Sequence, residues 1–168
     1  SLCDYGLVEQ VGTAREYRLG PAVLRLAALR EAQVPTRDAA MPLLQALANA
    51  TGETAHLTLL IGGVLRPLAH AYSAHHATRV TLEGTDSFPF HATSSGLATL
   101  AFQPDAFRNA VLAQPLPRLT RLTETDTAAL SARLETIRTA GMAESHGGYE
   151  VDVHSIAVPR FDALGHCS

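Results

Sequence analysis

Lysine is absent. All 13 Lys-plus-Arg cations of the chain are arginine, which excludes lysine Schiff-base chemistry and a Walker-type phosphate lysine. Tryptophan is absent too, and aromatic residues make up only 5%, a composition that argues against a carbohydrate site or an aromatic cage. The two cysteines, Cys3 and Cys167, stand at opposite ends with no Cys-x-x-Cys. A single terminal pair is a poor disulfide framework, so a reducing cytoplasm is the expected compartment. No apolar run approaches the ~18 residues of a membrane-spanning helix, and the first residues lack the charged-apolar-small order of a signal peptide. No membrane partner is expected. Net charge is only −3, which gives no global pull toward nucleic acid. What is present is a folded composition: 46% hydrophobic and 17% charged in 168 residues, enough for one sizeable core.

Along the chain, Leu2 to Tyr5 read as the last turn of a helix stopped by Gly6. Leu7–Val11 and Arg15–Leu19 are short β-like runs around Gly12-Thr-Ala14, a hairpin pattern. Gly20-Pro21 opens a helix with Pro where its missing N–H costs nothing, and Val23, Leu24, Leu26, Ala27 and Leu29 make that helix broadly apolar. A second helical pattern runs from Thr36 to Thr51, with Ala40, Leu43, Leu44, Leu47 and Ala48 on one stripe. Pro42 is expected to kink it or mark a fresh start. Thr54–Ile61 alternates like a strand, Gly62-Gly63 is a two-residue turn, and Val64–Tyr72 returns. Pro67 points to a sheet edge for the returning strand. A short strand is expected at 77–82. Later come a small helix at 104–113, a helix capped by Thr123 or Thr125 with Leu130, Leu134 and Ile137 facing the core, a short strand near 142–145, and a last strand at 153–162. Asp162–Gly165 reads as a turn with three residues after it, so the chain is expected to stop before its domain is complete.

The most informative segment is Phe88-Pro-Phe-His-Ala-Thr-Ser-Ser-Gly-Leu-Ala-Thr-Leu-Ala101. Thr93, Ser94 and Ser95 stand where a helix begins and each is a suitable cap. Gly96 is a place where a ligand can approach the backbone closely. The first amides of a helix have no internal partner and carry partial positive charge, so such a start suits a carboxylate or phosphate. An ordinary serine-capped helix after a strand reads the same way.

The eight histidines invite a metal reading. His75 and His76 are adjacent and are expected to point in different directions unless the loop bends sharply, and His56 and His70 fall on predicted opposing strands without a cysteine or carboxylate cluster. No His-x-x-x-His spacing appears, so no metal site and no cofactor is expected. No Gly-x-Ser-x-Gly elbow is present and the sequence places no paired base beside Ser94 or Ser95, so an enzyme is not expected.

Taken in order, these segments resemble the isocitrate-lyase-regulator (IclR) family of bacterial transcription factors. Gly6-Leu-Val-Glu9 followed by Tyr17-Arg-Leu-Gly20 looks like the end of that family's recognition helix, its wing and the entry to its linker helix. Leu47–Thr54 looks like the helix leading into the first strand of its effector domain. His91–Ala101 is similar to its HATAxGKAxLA signature, with Leu97 in place of Lys. Leu134–Gly141 and Ile156–Asp162 are similar to its L..IR..G and IAAPVFD segments. The likeness runs through essentially the whole chain.

The resemblance implies an α+β, GAF/PAS-like effector domain with a mostly antiparallel sheet and flanking helices. It also implies a division into 1–19, the tail of a winged helix-turn-helix; 20–33, the linker helix; and 34–168, the effector domain. By the family pattern, Ser94 and Ser95 meet the ligand's acid group, Ser145 and Ser155 are polar positions on later strands, and Ala77, Val80 and Phe88 are apolar wall positions. His91 either hydrogen-bonds into the pocket or braces the loop. Arg15 and Arg18 on the hairpin suit DNA phosphates, as a wing does. The implied partners are a small-molecule effector, most simply a carboxylate; operator DNA, through a domain of which only the tail is present; and further copies of the chain in a dimer or tetramer. A stand-alone GAF-like binding module or a small hydrolase is the alternative.

Overall fold

The computed structural model describes residues 1–11, 16–33, 36–74, 86–162 and 164–167. The first segment ends a helical turn. Gly6 takes a positive φ of 67°, its N–H reaches the carbonyl of Cys3 and that of Leu7 the carbonyl of Leu2, the bond pair of a Schellman stop. Strands β1 (Val8–Val11) and β2 (Glu16–Leu19) pair antiparallel, with Glu9 opposite Arg18. Helix α1 (Ala22–Gln33) follows.

Helix α2 (Thr36–Thr51) runs through Pro42 as one element, so Pro42 does not mark a fresh start. Pro42 and the residues around it on that side are exposed, so water can satisfy the Asp38 carbonyl that loses its intrahelical donor. The buried side of α2, Leu44 and Ala48, lies on Ala55, Ala69 and Ala71 of strands β3 (Ala55–Ile61) and β4 (Val64–Ala71). Small residues on the sheet let the helix approach closely. Gly62 and Gly63 join these strands, both at positive φ, 60° and 78°, as a primed two-residue turn requires. The register slips between Leu57 and Thr58, beside Pro67. Among the described residues β4 is an edge of this two-stranded sheet, as Pro67 leads one to expect, with a single bridge from Phe88 to Leu65 on its other side, and Pro67 sits beside the bulge. The strand expected at 77–82 lies outside the described residues.

The main core is built on α3 (Ser94–Ala101), which is buried at seven of its eight positions. Leu97 and Leu100 meet Leu130, Leu134 and Ile137 of α5 (Thr127–Ala140). Each fully buried leucine contributes about 1.5–3 kcal/mol. Helix α4 (Asp105–Leu112) lies between them in sequence and is amphipathic, with Phe107 and Val111 against the core. The cap of α5 is Asp126, whose carboxylate accepts from the Ala129 amide at 2.7 Å, and not Thr123 or Thr125. Thr123 is buried and otherwise engaged: its hydroxyl accepts from the amides of Leu119 and Thr120 and donates to the carbonyl of Gly148. Gly141 ends α5 at φ 71°.

Strands β5 (Ala143–His146) and β6 (His154–Ala157) form a third antiparallel pair and pack on α3. β6 is shorter than the strand expected at 153–162: its pairing ends at Ala157, opposite the first residue of β5, Ala143, and Asp162 turns the chain further on. Its carboxylate accepts from the amides of Leu164 and His166. Mixed helices and antiparallel pairs make this an α+β arrangement. Among the described residues the sheet is three two-stranded pairs.

Candidate functional site

The start of α3 is fixed by Thr93. Its hydroxyl accepts from the Gly96 amide at 3.0 Å and donates to the Pro89 carbonyl at 3.0 Å, which caps the helix and ties it to the chain before it. Gly96 is therefore glycine for a different reason from the one the sequence offered. A Cβ there would lie 2.6 Å from Phe90 Cα and 2.6 Å from the Pro89 carbonyl oxygen. The approach is by the protein's own backbone, and the Gly96 N–H is already satisfied. The amides of Ser94 and Ser95, one turn position earlier, have no hydrogen-bond partner among the described residues.

Three serines meet beneath that helix start. Ser145 and Ser155 stand directly opposite each other on β5 and β6, so their side chains share a face of the ladder. Ser94 Oγ donates to Ser155 Oγ at 2.8 Å. Ser145 Oγ donates to the Ala92 carbonyl at 2.9 Å. Ser94 and Ser145 are buried, Ser155 half-buried. Ser95 is half-buried, and its hydroxyl makes only a long 3.5 Å contact with Thr93. The geometry thus brings Ser94, Ser145 and Ser155 together from positions up to 61 residues apart.

Phe88 is buried, with its ring edge-on to Tyr149 at 6.0 Å and tilted against His56 at 6.2 Å. Tyr149 follows Gly147 and Gly148, and a Cβ on Gly148 would strike the Ala92 carbonyl and Ser145 Oγ. That glycine is what lets the loop lie against the serines. Sequence reasoning passed over Tyr149 and over the aromatic role of His56; the Gly-Gly pair was the one available signal for the first. His56 is half-buried, and burial first, then the neighbouring His70 charge, push its pKa below the ordinary histidine value.

His91 is buried, and its Nε2 lies 3.0 Å from the Pro117 carbonyl. Of the two roles expected, this geometry serves the brace: the ring ties the approach to α3 to the segment before α5. Arg18 is exposed and bonds Glu9 across the hairpin at 2.8 Å. Arg15, Ala77, Val80, His75 and His76 lie outside the described residues. Among the described residues no group of three or more His, Cys, Asp or Glu is gathered to hold a metal, and no helix is long and apolar enough to cross a membrane.

Comparison with known proteins bears on what this arrangement is. Residues 28–167 match the family described as bacterial transcriptional regulator IclR C-terminal. The chain belongs to the IclR family. The HTH-type transcriptional regulator BhcR of Paracoccus denitrificans is 30% identical over 169 residues, covering 100% of this chain and 60% of BhcR. A crystal structure of an IclR transcriptional regulator from a Silicibacter species is 51% identical with a TM-score of 0.91, covering 99% of this chain and 65% of that one. An IclR homologue from Microbacterium hydrocarbonoxydans, solved with 4-hydroxybenzoate, is 30% identical with a TM-score of 0.76 over 99% of this chain and 68% of that one. The chain therefore spans about three-fifths of the curated relative's length. It carries the effector domain that IclR regulators place at their C-terminal end, and its curated IclR relatives are named as regulators of transcription.

Proposed function

We propose that this chain is the sensing part of a DNA-binding IclR regulator and that it binds a small organic acid at the start of α3. The division of labour is 1–19 as the tail of the winged helix-turn-helix, 20–33 as the linker helix, and 34–168 as the effector-binding domain. The observation that carries the reading is the Ser94–Ser155 hydrogen bond, with Ser145 opposite Ser155, at a helix start whose Ser94 and Ser95 amides have no partner among the described residues. Ser155 accepts from Ser94, so its own O–H is left to donate outward. Ser145 uses its proton on Ala92 and keeps lone pairs to accept. The Ser94 and Ser95 N–H groups, the Ser95 hydroxyl and the Ser155 hydroxyl make a donor-rich site without a full cation, which suits a carboxylate held by hydrogen bonds and the helix dipole.

Phe88 and Tyr149 supply an aromatic wall. The bound 4-hydroxybenzoate of the Microbacterium homologue is an aromatic acid, and aliphatic acids meet the same donors here. Binding shifts the population of dimer or tetramer arrangements through α1 and so repositions the DNA-reading domains; Arg15 and Arg18 touch phosphates there. No catalytic role is assigned to the serines: none has a paired base among the described residues.

A thermal-shift screen of the intact protein against organic acids tests this. A ligand at a hundredfold excess over its Kd stabilises by about 2.7 kcal/mol, a readily measured rise in Tm. Ser155→Ala should reduce that rise. A well-folded protein that no acid stabilises would sink the proposal.

A further inference from the structure

The ladder that carries Ser145 and Ser155 has a second face, and that face holds two histidines. His146 and His154 are the next rung after the serines, directly opposite each other on β5 and β6, and both are exposed. Their rings stand nearly perpendicular, 85° apart, with centroids at 4.9 Å. The two Nδ1 atoms face each other at 3.4 Å. Behind His146, its Nε2 lies 3.1 Å from Glu144 Oε2. A carboxylate accepting from Nε2–H keeps the proton there and leaves the Nδ1 lone pair turned toward His154.

We propose that His146 and His154 chelate a divalent transition-metal ion, zinc foremost, through their Nδ1 atoms, with Glu144 holding the His146 tautomer. Three observations support this. The Nδ1···Nδ1 distance is long for a good hydrogen bond. It matches the bite of two metal–nitrogen bonds of about 2.0–2.1 Å opened to a tetrahedral angle, which separates the nitrogens by roughly 3.3–3.4 Å. The Glu144–His146 pair is the carboxylate–histidine arrangement that orients metal-binding imidazoles and raises their basicity. Two protein ligands leave the remaining positions to water, so the site is open and exchangeable. The ion binds the Nδ1 lone pair of each neutral imidazole, with the ring proton held on Nε2, and a proton that occupies Nδ1 competes with it; affinity therefore falls as the solution is acidified.

The position gives the ion a consequence. His146 and His154 are the two ends of the loop that carries Gly148 and Tyr149. A bridge across them closes that loop at its base, on the opposite side of the strands from the serines. This inference does not depend on the organic-acid site, and its readout is metal alone.

Titration of the intact protein with zinc ion, followed by calorimetry and by long-range proton–nitrogen NMR of the imidazoles, tests it. The expected result is saturable one-to-one binding with both Nδ1 resonances shifted as ligands. His146→Ala and His154→Ala should each weaken it more than tenfold, and Glu144→Gln about tenfold. Since all three side chains are exposed, the variants keep the wild-type fold, which circular dichroism checks. Unchanged zinc binding in both histidine variants, ligation through Nε2, or no saturable binding would each overturn the assignment.

Discussion

Ser94 and Ser95 are neighbours at one helix start, yet substitution removes different things from each. Proline at 95 deletes an amide donor that has no partner among the described residues, at a first-turn position that needs no intrahelical donor. Ser95→Pro should therefore leave the protein folded while effector affinity falls more than tenfold, the loss of a hydrogen bond to a charged group being about 1.5–3 kcal/mol. Ser94→Ala removes a hydroxyl and should weaken binding by a smaller factor. Isothermal titration with an acid found in the screen checks both; normal binding by a folded Ser95→Pro protein would move the site elsewhere. Gly96 belongs to a different class. Its missing side chain faces Phe90 and Pro89 backbone at 2.6 Å, so Gly96→Ala should destabilise by at least about 1–3 kcal/mol. That would appear as a lower denaturant midpoint at unchanged slope. The serines at 94 and 95 were legible in the sequence because helix starts have a chemical signature. The reason for Gly96 was not, because it depends on which backbone the fold presses against it.

At the scale of elements, helices were the readable part. Leu130, Leu134 and Ile137 face the core from α5 as their spacing requires, and Gly141 ends it. What periodicity does not encode is competition for a hydroxyl. Thr123 has the right chemistry to cap α5, but bonds to Leu119, Thr120 and Gly148 take it, and Asp126 serves instead. Asp126→Ala should cost about 1 kcal/mol in thermal or chemical unfolding, a loss that would be absent if Thr123 or Thr125 were the cap. Strand pairing was legible for β3–β4 through Gly62-Gly63. For β5–β6 the register is set by a longer loop, so neither the serine pair nor the histidine pair could be read from spacing. The same β3–β4 ladder carries a pH dependence. The folded pKa of His56 is depressed, chiefly by burial and then by His70. The unfolded chain therefore binds more protons in the window below the ordinary histidine value of about 6.5, and stability falls as pH drops through it. Tm measured downward from pH 7 should decline, and His56→Gln should flatten the slope.

For the whole molecule, the open question is what covers α1. Leu24, Leu26 and Leu29 are 76%, 51% and 52% exposed, more apolar surface than a monomer usually leaves on one helix. The chain should therefore self-associate at micromolar concentration, as a dimer or tetramer, and Leu24→Glu should shift it toward monomer. Light scattering reporting a clean monomer for the unsubstituted protein would refute this.

The junction below that helix has a mechanical consequence. The Gly6 carbonyl accepts from Ala22 N and the Leu7 carbonyl from Gly20 N, while a Cβ on Gly20 would lie 2.2 Å from the Gly6 oxygen. Hairpin and helix meet there without slack, like a shaft keyed to a wheel, so a turn of α1 carries the β1–β2 hairpin with it instead of being absorbed at the joint. Gly20→Ala must force the two surfaces apart and introduce backlash. In the intact regulator that variant should bind its effector with unchanged affinity while its DNA occupancy no longer follows the effector, a separation that paired titrations of acid and operator would reveal.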